Sequence, residues 1–376
     1  MKTTDPFRYG KVIGEPFFIN RTAELKRIKS DLISGNNLII YSPRRYGKTS
    51  LIIKALKELE QENIQTLYFD FFKISSQQKF IEDFSKEILN SQSSLKKSIT
   101  KFQKMVHGFK PSVSFDGQGN PSFSFSFFPD IDYSQTITEV LNLPLKFSKN
   151  KKWVIVFDEF QEIEKLNGEN FEKLLRSVIQ FHDNISYVFM GSKMHLLLNM
   201  FNNKERAFYK FGKLLRLDKI DKQEFKEYIV SRLNEGEFEF EENLVDELID
   251  ISDNIPYYVQ FFASELWYEG LINNQHIGKQ QFDKAIDNII TNQQDYFLQL
   301  LESLTNYQKK VLFALTRETK NLFSNDYATR HRLGAISSTK RALDKLVKIG
   351  IIEKTGTTLE FSDPFFPLFL KLRNFA

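Results

Sequence analysis

Short apolar runs alternate with amphipathic helical patterns over the first 217 residues of the chain. In chain order, the apolar runs are residues 38–41, 66–70, 153–157, 185–190 and 214–217. Runs of this length that are rich in β-branched and aromatic residues are typical of strands buried on both faces, and the helical patterns between them suit crossover helices. Polar residues directly follow several runs, as expected where parallel strands end. The pattern therefore predicts an α/β fold with an open parallel sheet.

A different period interrupts this pattern between residues 74 and 150. Helical patterns come first, and residues 112–128 then alternate between Ser and apolar side chains, mostly Phe, on either side of a turn at residues 116–121. Such alternation predicts a β-hairpin with one Phe face and one Ser face. Because an isolated hairpin is only marginally stable in water, we expect the Phe face either to pack on neighbouring helices or to bind a protein partner.

The pattern changes again after residue 217. Only helical patterns remain at 218–298, whereas residues 299–376 combine two or three helices with two short strands around a turn at 355–357, the order of a winged helix-turn-helix. We therefore expect three domains. They are a sheet domain at 1–217 with inserted helices and hairpin at 74–150, a helical subdomain at 218–298 and a winged-helix domain at 299–376.

The composition is that of an ordinary soluble globular protein, with 41% hydrophobic and 27% charged residues. Cysteine is missing from the sequence, which excludes a disulfide framework and a thiolate metal site. The sequence has no run near the roughly 18 apolar residues of a membrane span and no apolar core of a signal peptide at its start. We therefore predict a cytoplasmic protein without a membrane partner.

The net charge of +4 is unevenly distributed. Residues 301–376 contain thirteen Lys and Arg against seven Asp and Glu, whereas the rest of the chain contains thirty-nine against forty-one. Lys340 and Arg341 lie at the start of the predicted recognition helix, where contacts to a DNA groove usually occur. Winged helices also bind proteins, so the sequence leaves DNA and a protein, including a second copy of the chain, as candidate partners.

The clearest candidate for chemistry is the loop after the first apolar run. It reads Ser-Pro-Arg-Arg-Tyr-Gly-Lys-Thr and leads into a helical pattern, which is the order of a phosphate-binding Walker A loop. In such a loop, backbone N–H groups and the helix N-terminus surround the phosphates, and the lysine neutralises the terminal ones. The predicted nucleotide-binding residues are Ser42, Pro43, Arg44, Arg45, Tyr46, Gly47, Lys48, Thr49 and Ser50.

Two carboxylates end the third apolar run and supply the second half of a nucleotide site. Asp158 is predicted to hold Mg²⁺ together with the Thr49 hydroxyl, and Glu159 to polarise the attacking water. An Asp-Glu pair at this Walker B position favours hydrolysis over kinase chemistry. The plain alternative, a solvated strand end, is less compatible with a phosphate loop in the same chain.

Four further polar residues are candidates for the reaction. Ser192 ends the fourth run and could contact the γ-phosphate, or simply close a turn. Arg44 and Arg45 could reach phosphates or a partner, or pair with nearby carboxylates. Arg206 is the candidate for an arginine that stabilises the transition state.

With these motifs the chain resembles the archaeal-type AAA family ATPases, a P-loop group of the AAA+/STAND kind. The resembling residues are Phe18-Ile19-Asn20-Arg21, Glu24-Leu25, the loop from Pro43 to Leu51, Asp158-Glu159-Phe160-Gln161-Glu162, Gly191-Ser192, Phe208-Tyr209 with Gly212, Pro256-Tyr257-Tyr258 and Asp363-Pro364-Phe365-Phe366. Two positions depart from the pattern: Ser42 stands for the first Gly of the general loop motif, and Asn254 for a Gly of the lid motif.

The resemblance implies an ASCE-type core, a helical lid at 218–298 and a winged-helix tail. Residues and resemblance together predict an Mg-dependent ATPase that hydrolyses ATP to ADP and phosphate and acts as a nucleotide-controlled switch, with ATP and Mg²⁺ as cofactors. Two other functions stay open. One is an ATP-regulated DNA-binding protein like those that recognise replication origins, and the other is an ATP-binding scaffold for a protein partner with little turnover.

Overall fold

The computed structural model describes residues 4–19, 21–92, 95–118, 121–147, 151–355 and 358–373. They fall into two compact units. The core unit is Arg21–Asp218, and the C-terminal unit combines the residues from Lys219 onward with those up to position 20. Among the described residues, no helix has the length and apolar content needed to cross a membrane.

The core unit is a five-stranded sheet with helices and a hairpin around it. Its helices are α1 Thr22–Ile33, α2 Lys48–Gln61, α3 Gln77–Asn90, α4 Leu95–Gln103, α5 Tyr133–Leu141, α6 Leu143–Phe147, α7 Gly168–Ile179 and α8 Met194–Asn202. Its strands are β1 Leu38–Tyr41, β2 Gln65–Asp70, β3 Phe109–Phe115, β4 Pro121–Phe127, β5 Trp153–Asp158, β6 Ile185–Gly191 and β7 Lys213–Arg216.

The sheet has the strand order β2-β5-β6-β1-β7, and every neighbouring pair is parallel. This confirms the predicted α/β fold with an open parallel sheet. All residues of β5 and β6 are buried, as their continuous apolar runs predicted. Because the strands are parallel, the loops that follow β1, β5 and β6 open at the same edge.

Phenylalanine rings fix the end of β5. Phe157 precedes the carboxylate pair and lies 5.9 Å, between ring centroids, from Phe189 on β6. Phe160, directly after the pair, lies 4.7 Å from Phe189 in an edge-on contact. All three rings are fully buried. Since buried rings in close contact resist displacement, they hold the backbone on both sides of Asp158 and Glu159 in place.

The predicted hairpin is formed by β3 and β4, which pair antiparallel with Phe109 opposite Phe127. Phe123, Phe125 and Phe127 pack against the hydrophobic core of the unit, while the alternating serines are exposed. Most of the Phe face therefore packs on the protein's own core, whereas Phe115 beside the turn is 50% exposed. Residues 119–120 of the predicted turn lie outside the described residues.

The C-terminal unit is helical apart from two small sheets. Its helices are α9 Lys222–Glu235, α10 Glu242–Ile251, α11 Pro256–Ile272, α12 Lys279–Glu302, α13 Asn306–Arg317, α14 Asn325–Arg330, α15 Ile336–Lys348 and α16 Phe365–Leu372. Its strands are β8 Glu239–Phe240, β9 His276–Ile277, β10 Ile352–Thr355 and β11 Thr358–Phe361. β10 and β11 pair antiparallel after α15, as the winged helix requires. The turn predicted at 355–357 falls mostly outside the described residues.

The N-terminal segment differs from the domain boundaries expected from the sequence. The sequence placed residues 1–20 with the sheet, whereas the described part of them packs in the C-terminal unit. Phe7 is buried with its ring 6.1 Å from those of Tyr228 and Trp267, and the Ser264 hydroxyl donates to Asp5 at 2.6 Å. Burial of a large aromatic ring is worth a few kcal/mol, which explains why the segment joins these helices.

The helical segment and the winged helix also share contacts inside this unit. The Phe365 ring on α16 lies 5.7 Å from Tyr258 and 5.9 Å from Phe262, both on α11. The Tyr258 hydroxyl donates to the Ser362 carbonyl at 3.1 Å. The boundary expected between residues 298 and 299 stays a prediction.

Candidate nucleotide-binding site

Lys48, Thr49, Asp158 and Ser192 come together where the parallel strands end. Tyr41, the last residue of β1, lies opposite Gly191 at the end of β6, so the loop at 42–47 begins beside Ser192. Asp158 ends β5 next to that strand. Lys48 and Thr49 open α2 directly after the loop.

The loop turns sharply into α2. Gly47, with φ 82°, precedes the first helical residue in a left-handed conformation that suits glycine. The Lys48 ammonium is buried and donates to the carbonyls of Ser42 at 2.8 Å and Pro43 at 2.9 Å. The lysine is thus held across the mouth of the loop, where a phosphate chain would be surrounded by backbone N–H groups.

A buried arginine, Arg21, donates a hydrogen bond to the backbone of the loop. The Arg21 guanidinium, on a residue only 5% exposed, donates to the Tyr46 carbonyl at 3.1 Å and to the Asp218 carbonyl at 2.9 Å. It also pairs with Glu24 at 2.9 Å. The motifs of the sequence predict no separate role for Arg21, although the Arg-x-x-Glu spacing at the start of a helix indicates its ion pair with Glu24.

Asp158 accepts three hydrogen bonds. Its Oδ2 accepts from the Thr49 hydroxyl at 3.3 Å and from the Tyr68 hydroxyl, and its Oδ1 accepts from the Glu159 N–H at 2.8 Å. Burial raises the pKa of Asp158, and the hydrogen bonds from Tyr68 and Glu159 oppose that shift. Burial and the adjacent Asp158 raise the pKa of Tyr68, so its hydroxyl keeps its proton and acts as the donor.

This donor set fits Mg²⁺. The described residues contain no group of three or more Asp, Glu or His side chains that would form an all-protein metal cage. Thr49 and Asp158 instead place one hydroxyl and one carboxylate together. Mg²⁺ is usually held in this way, by one or two protein oxygens with phosphates and waters completing the shell.

Glu159 has a left-handed backbone, with φ 47°. Its Oε2 accepts from the Ser192 hydroxyl at 2.9 Å, from the Ser192 N–H at 3.3 Å and from the Gln161 amide. Gly191 makes this arrangement possible, because a Cβ there would lie 2.1 Å from Gln161 Oε1. The structure thus places Ser192 on the Glu159 carboxylate. The role of Gln161 was not foreseen from the sequence.

Comparison with known proteins agrees with this geometry. A model described as an ATPase domain predominantly from Archaea matches residues 18–264. The chain belongs to this family. A second model, described as a probable winged helix domain, matches residues 295–372 of this archaeal-type ATPase, which confirms the predicted tail. The site is therefore that of an ATP-binding, P-loop ATPase domain.

Relatives of this archaeal-type ATPase include an uncharacterised ATP-binding protein of Methanocaldococcus jannaschii, 26% identical over 43% of the chain. The match spans only 45% of that relative's length.

Among solved structures, a Walker-type ATPase of Pyrococcus abyssi has a TM-score of 0.63 at 17% identity, covering 95% of this chain and 97% of that one. The ORC1 protein of Aeropyrum pernix, solved in complex with DNA, has a TM-score of 0.52 at 12% identity, covering 98% and 99%. These structural likenesses show the fold.

The arginine candidates of the ATPase domain lie in different surroundings. Arg206 donates to Glu172 at 3.0 Å and to Glu164 at 3.2 Å, and its side chain is only 9% exposed. The structure thus places it in an ion-pair cluster with these two glutamates, and its catalytic role stays a prediction. Arg44 and Arg45 are exposed on the phosphate loop.

One departure from the family pattern has a conformational explanation. Asn254 has φ 54°, and Asp253 before it has φ 52°. Glycine adopts such left-handed backbone at no steric cost, and Asn tolerates it better than most residues. Asn254 therefore preserves the turn that enters α11, even though it replaces the glycine expected there.

In the winged helix, the predicted recognition helix is α15, which begins at Ile336. Lys340 and Arg341 are exposed on its first half. Thr339 beside them is buried, with its hydroxyl 2.9 Å from the Tyr307 hydroxyl on α13. The two basic side chains thus lie on the exposed side of α15, while Thr339 on its buried side contacts α13.

Proposed function

We propose that this protein is an Mg²⁺-dependent ATPase that hydrolyses ATP to ADP and phosphate and acts as a nucleotide-controlled switch. The observation that carries the proposal is the hydrogen bond from Thr49 to Asp158 at 3.3 Å, beside the buried Lys48. It joins the two halves of a nucleotide site that are 109 residues apart in the chain. Membership of the archaeal ATPase family supports the same conclusion.

Each residue has a role set by its chemistry. Lys48 neutralises the terminal phosphates while the loop N–H groups bind the chain. Thr49 and Asp158 would hold Mg²⁺, which would neutralise part of the phosphate charge when bound. Glu159 orients the attacking water and accepts its proton.

Ser192 links the phosphate to that carboxylate. Its hydroxyl bonds to Glu159 at 2.9 Å, and a hydroxyl can rotate to donate to another acceptor. When ATP is bound, Ser192 turns toward the γ-phosphate and releases one bond to Glu159. The carboxylate then has an acceptor position available for water. In this proposal, hydrolysis is coupled to the presence of the third phosphate.

The direct test of this proposal measures phosphate release by the full chain with ATP. We expect release with Mg²⁺ to be abolished by EDTA and restored by excess Mg²⁺, since the protein alone supplies too few oxygens to replace the metal. The assay is repeated across protein concentrations to detect a requirement for self-association. Equal release in EDTA would contradict the metal dependence. Tight ATP binding without release would instead favour the scaffold function.

A second candidate function, ATP-regulated DNA binding, is supported by the winged helix with exposed Lys340 and Arg341. The Aeropyrum pernix protein with the same fold was solved with DNA. We expect a salt-dependent gel shift of duplex DNA that K340A/R341A weakens, with a salt slope smaller by about two. The control K371A/R373A removes the same charge at the C-terminal end of α16 and should retain binding. Equal shifts by wild type and K340A/R341A would exclude this surface.

A further inference from the structure

In the described part of the chain, Tyr68 also bonds to the Asp158 carboxylate, and its hydroxyl has no role in the chemistry above. It lies on β2, opposite Val156, and Asp70 lies opposite Asp158. Because side chains alternate along a strand, Tyr68 and Asp158 point to the same face of the sheet. Phe69, between Tyr68 and Asp70, points the other way into the core.

The Tyr68 hydroxyl completes the support of that carboxylate. The Glu159 N–H fixes Oδ1 at 2.8 Å, and Tyr68 and Thr49 both donate to Oδ2. With donors on both oxygens, the carboxyl plane of Asp158 cannot rotate freely. A carboxylate oxygen has two lone pairs, so Oδ2 can keep the Tyr68 bond while the other pair faces the Thr49 side.

Because Asp158 is buried, the loss of the Tyr68 hydrogen bond should affect the carboxylate strongly. Asp158 is only 6% exposed, so water is a poor substitute for a lost donor. A buried carboxylate that loses a hydrogen bond also loses part of what fixes its orientation. Groups that hold a metal ligand in this way typically change metal affinity by ten- to a hundredfold when they are removed.

We infer that Tyr68 is a positioning residue for Mg²⁺: its hydroxyl orients Asp158, and this contact sets the Mg²⁺ concentration at which ATP binds tightly. The inference rests on the proposed function, because it assumes that Asp158 serves the metal. It adds a residue from β2 to a site otherwise built from α2 and from the ends of β5 and β6.

The test is a titration of ATP binding by the full chain at increasing Mg²⁺, followed by calorimetry, for wild type and Y68F. We expect Y68F to need about tenfold more Mg²⁺ for half-maximal tight binding, with unchanged ATP affinity in EDTA. The ring stays in place in Y68F, so packing is kept. Y133F, which removes a hydroxyl from another partly buried tyrosine of the core unit, should titrate like wild type.

The outcomes separate this inference from the proposed function. If wild-type ATP binding does not respond to Mg²⁺ at all, both are wrong. If wild type responds and Y68F needs the same or less Mg²⁺, the inference alone fails. A loss of ATP affinity of equal size in EDTA and in Mg²⁺ would assign Tyr68 a structural role and overturn the inference.

Discussion

Replacing Lys48 with Ala should abolish ATP binding. The lysine is the only buried cation among the predicted loop residues in the part of the chain that the structure describes, and it would form charge-assisted bonds to the phosphates. Such bonds are worth about 1.5–3 kcal/mol each, so K48A should weaken ATP binding by at least about a hundredfold. Isothermal titration calorimetry with Mg-ATP measures the effect directly.

A matched substitution on the same helix distinguishes this effect from general damage to the fold. Lys57 is exposed on α2, away from its N-terminus, so K57A should bind ATP like wild type. The Lys48 ammonium also bonds to the Ser42 and Pro43 carbonyls, so circular dichroism should accompany the titration. A folded K48A protein with wild-type ATP affinity would disprove the assignment of the phosphate loop.

Glu159→Gln should keep ATP binding and lose turnover. The amide is isosteric and can still bond to Ser192, but it cannot accept a proton from water. General bases contribute roughly 10²- to 10⁴-fold, so phosphate release in a single-turnover assay should fall at least about a hundredfold. ATP affinity, measured by calorimetry, should stay within a fewfold of wild type because the loop and Lys48 are unaffected.

E169Q provides the control for this variant, since Glu169 is an exposed carboxylate on the first turn of α7. It should hydrolyse ATP at the wild-type rate. Undiminished release by E159Q would remove Glu159 from the reaction. A parallel loss of ATP binding and release would instead mean that Glu159 shapes the binding site.

The sheet could be predicted because burial on both faces leaves a continuous apolar run, as in β5 and β6, whose residues are all buried. The packing of the N-terminal segment could not be predicted in this way. Phe7 contacts Trp267, 260 positions later, and no local period reports a contact over that distance. The short helix α16 was also missed, because its apolar run Phe365–Leu372 lacks the polar face that marks an amphipathic helix.

The positions of Lys48, Thr49 and Asp158 could be predicted because they lie in sequence motifs at the ends of apolar runs. A site residue could not be predicted where its side chain has an ordinary structural explanation. Tyr68 fits a buried strand by composition alone, and only the register of β2 with β5 shows that it reaches Asp158. Arg206 has a structural explanation that the sequence did not predict. Its two glutamate partners lie 34 and 42 residues away in the chain, so no local pattern indicates the ion pairs.

The contacts of Arg21 bear on how the loop can move. Arg21 and Asp218 are the first and last residues of the core unit, and one guanidinium joins both ends of the unit to the Tyr46 carbonyl. A shift of the Tyr46 carbonyl therefore disturbs its hydrogen bond to the Arg21 guanidinium. The same guanidinium bonds to Asp218, the last residue of the unit. The position of one peptide group in the phosphate loop is thus coupled to the first and the last residue of the core unit, where the chain enters and leaves it.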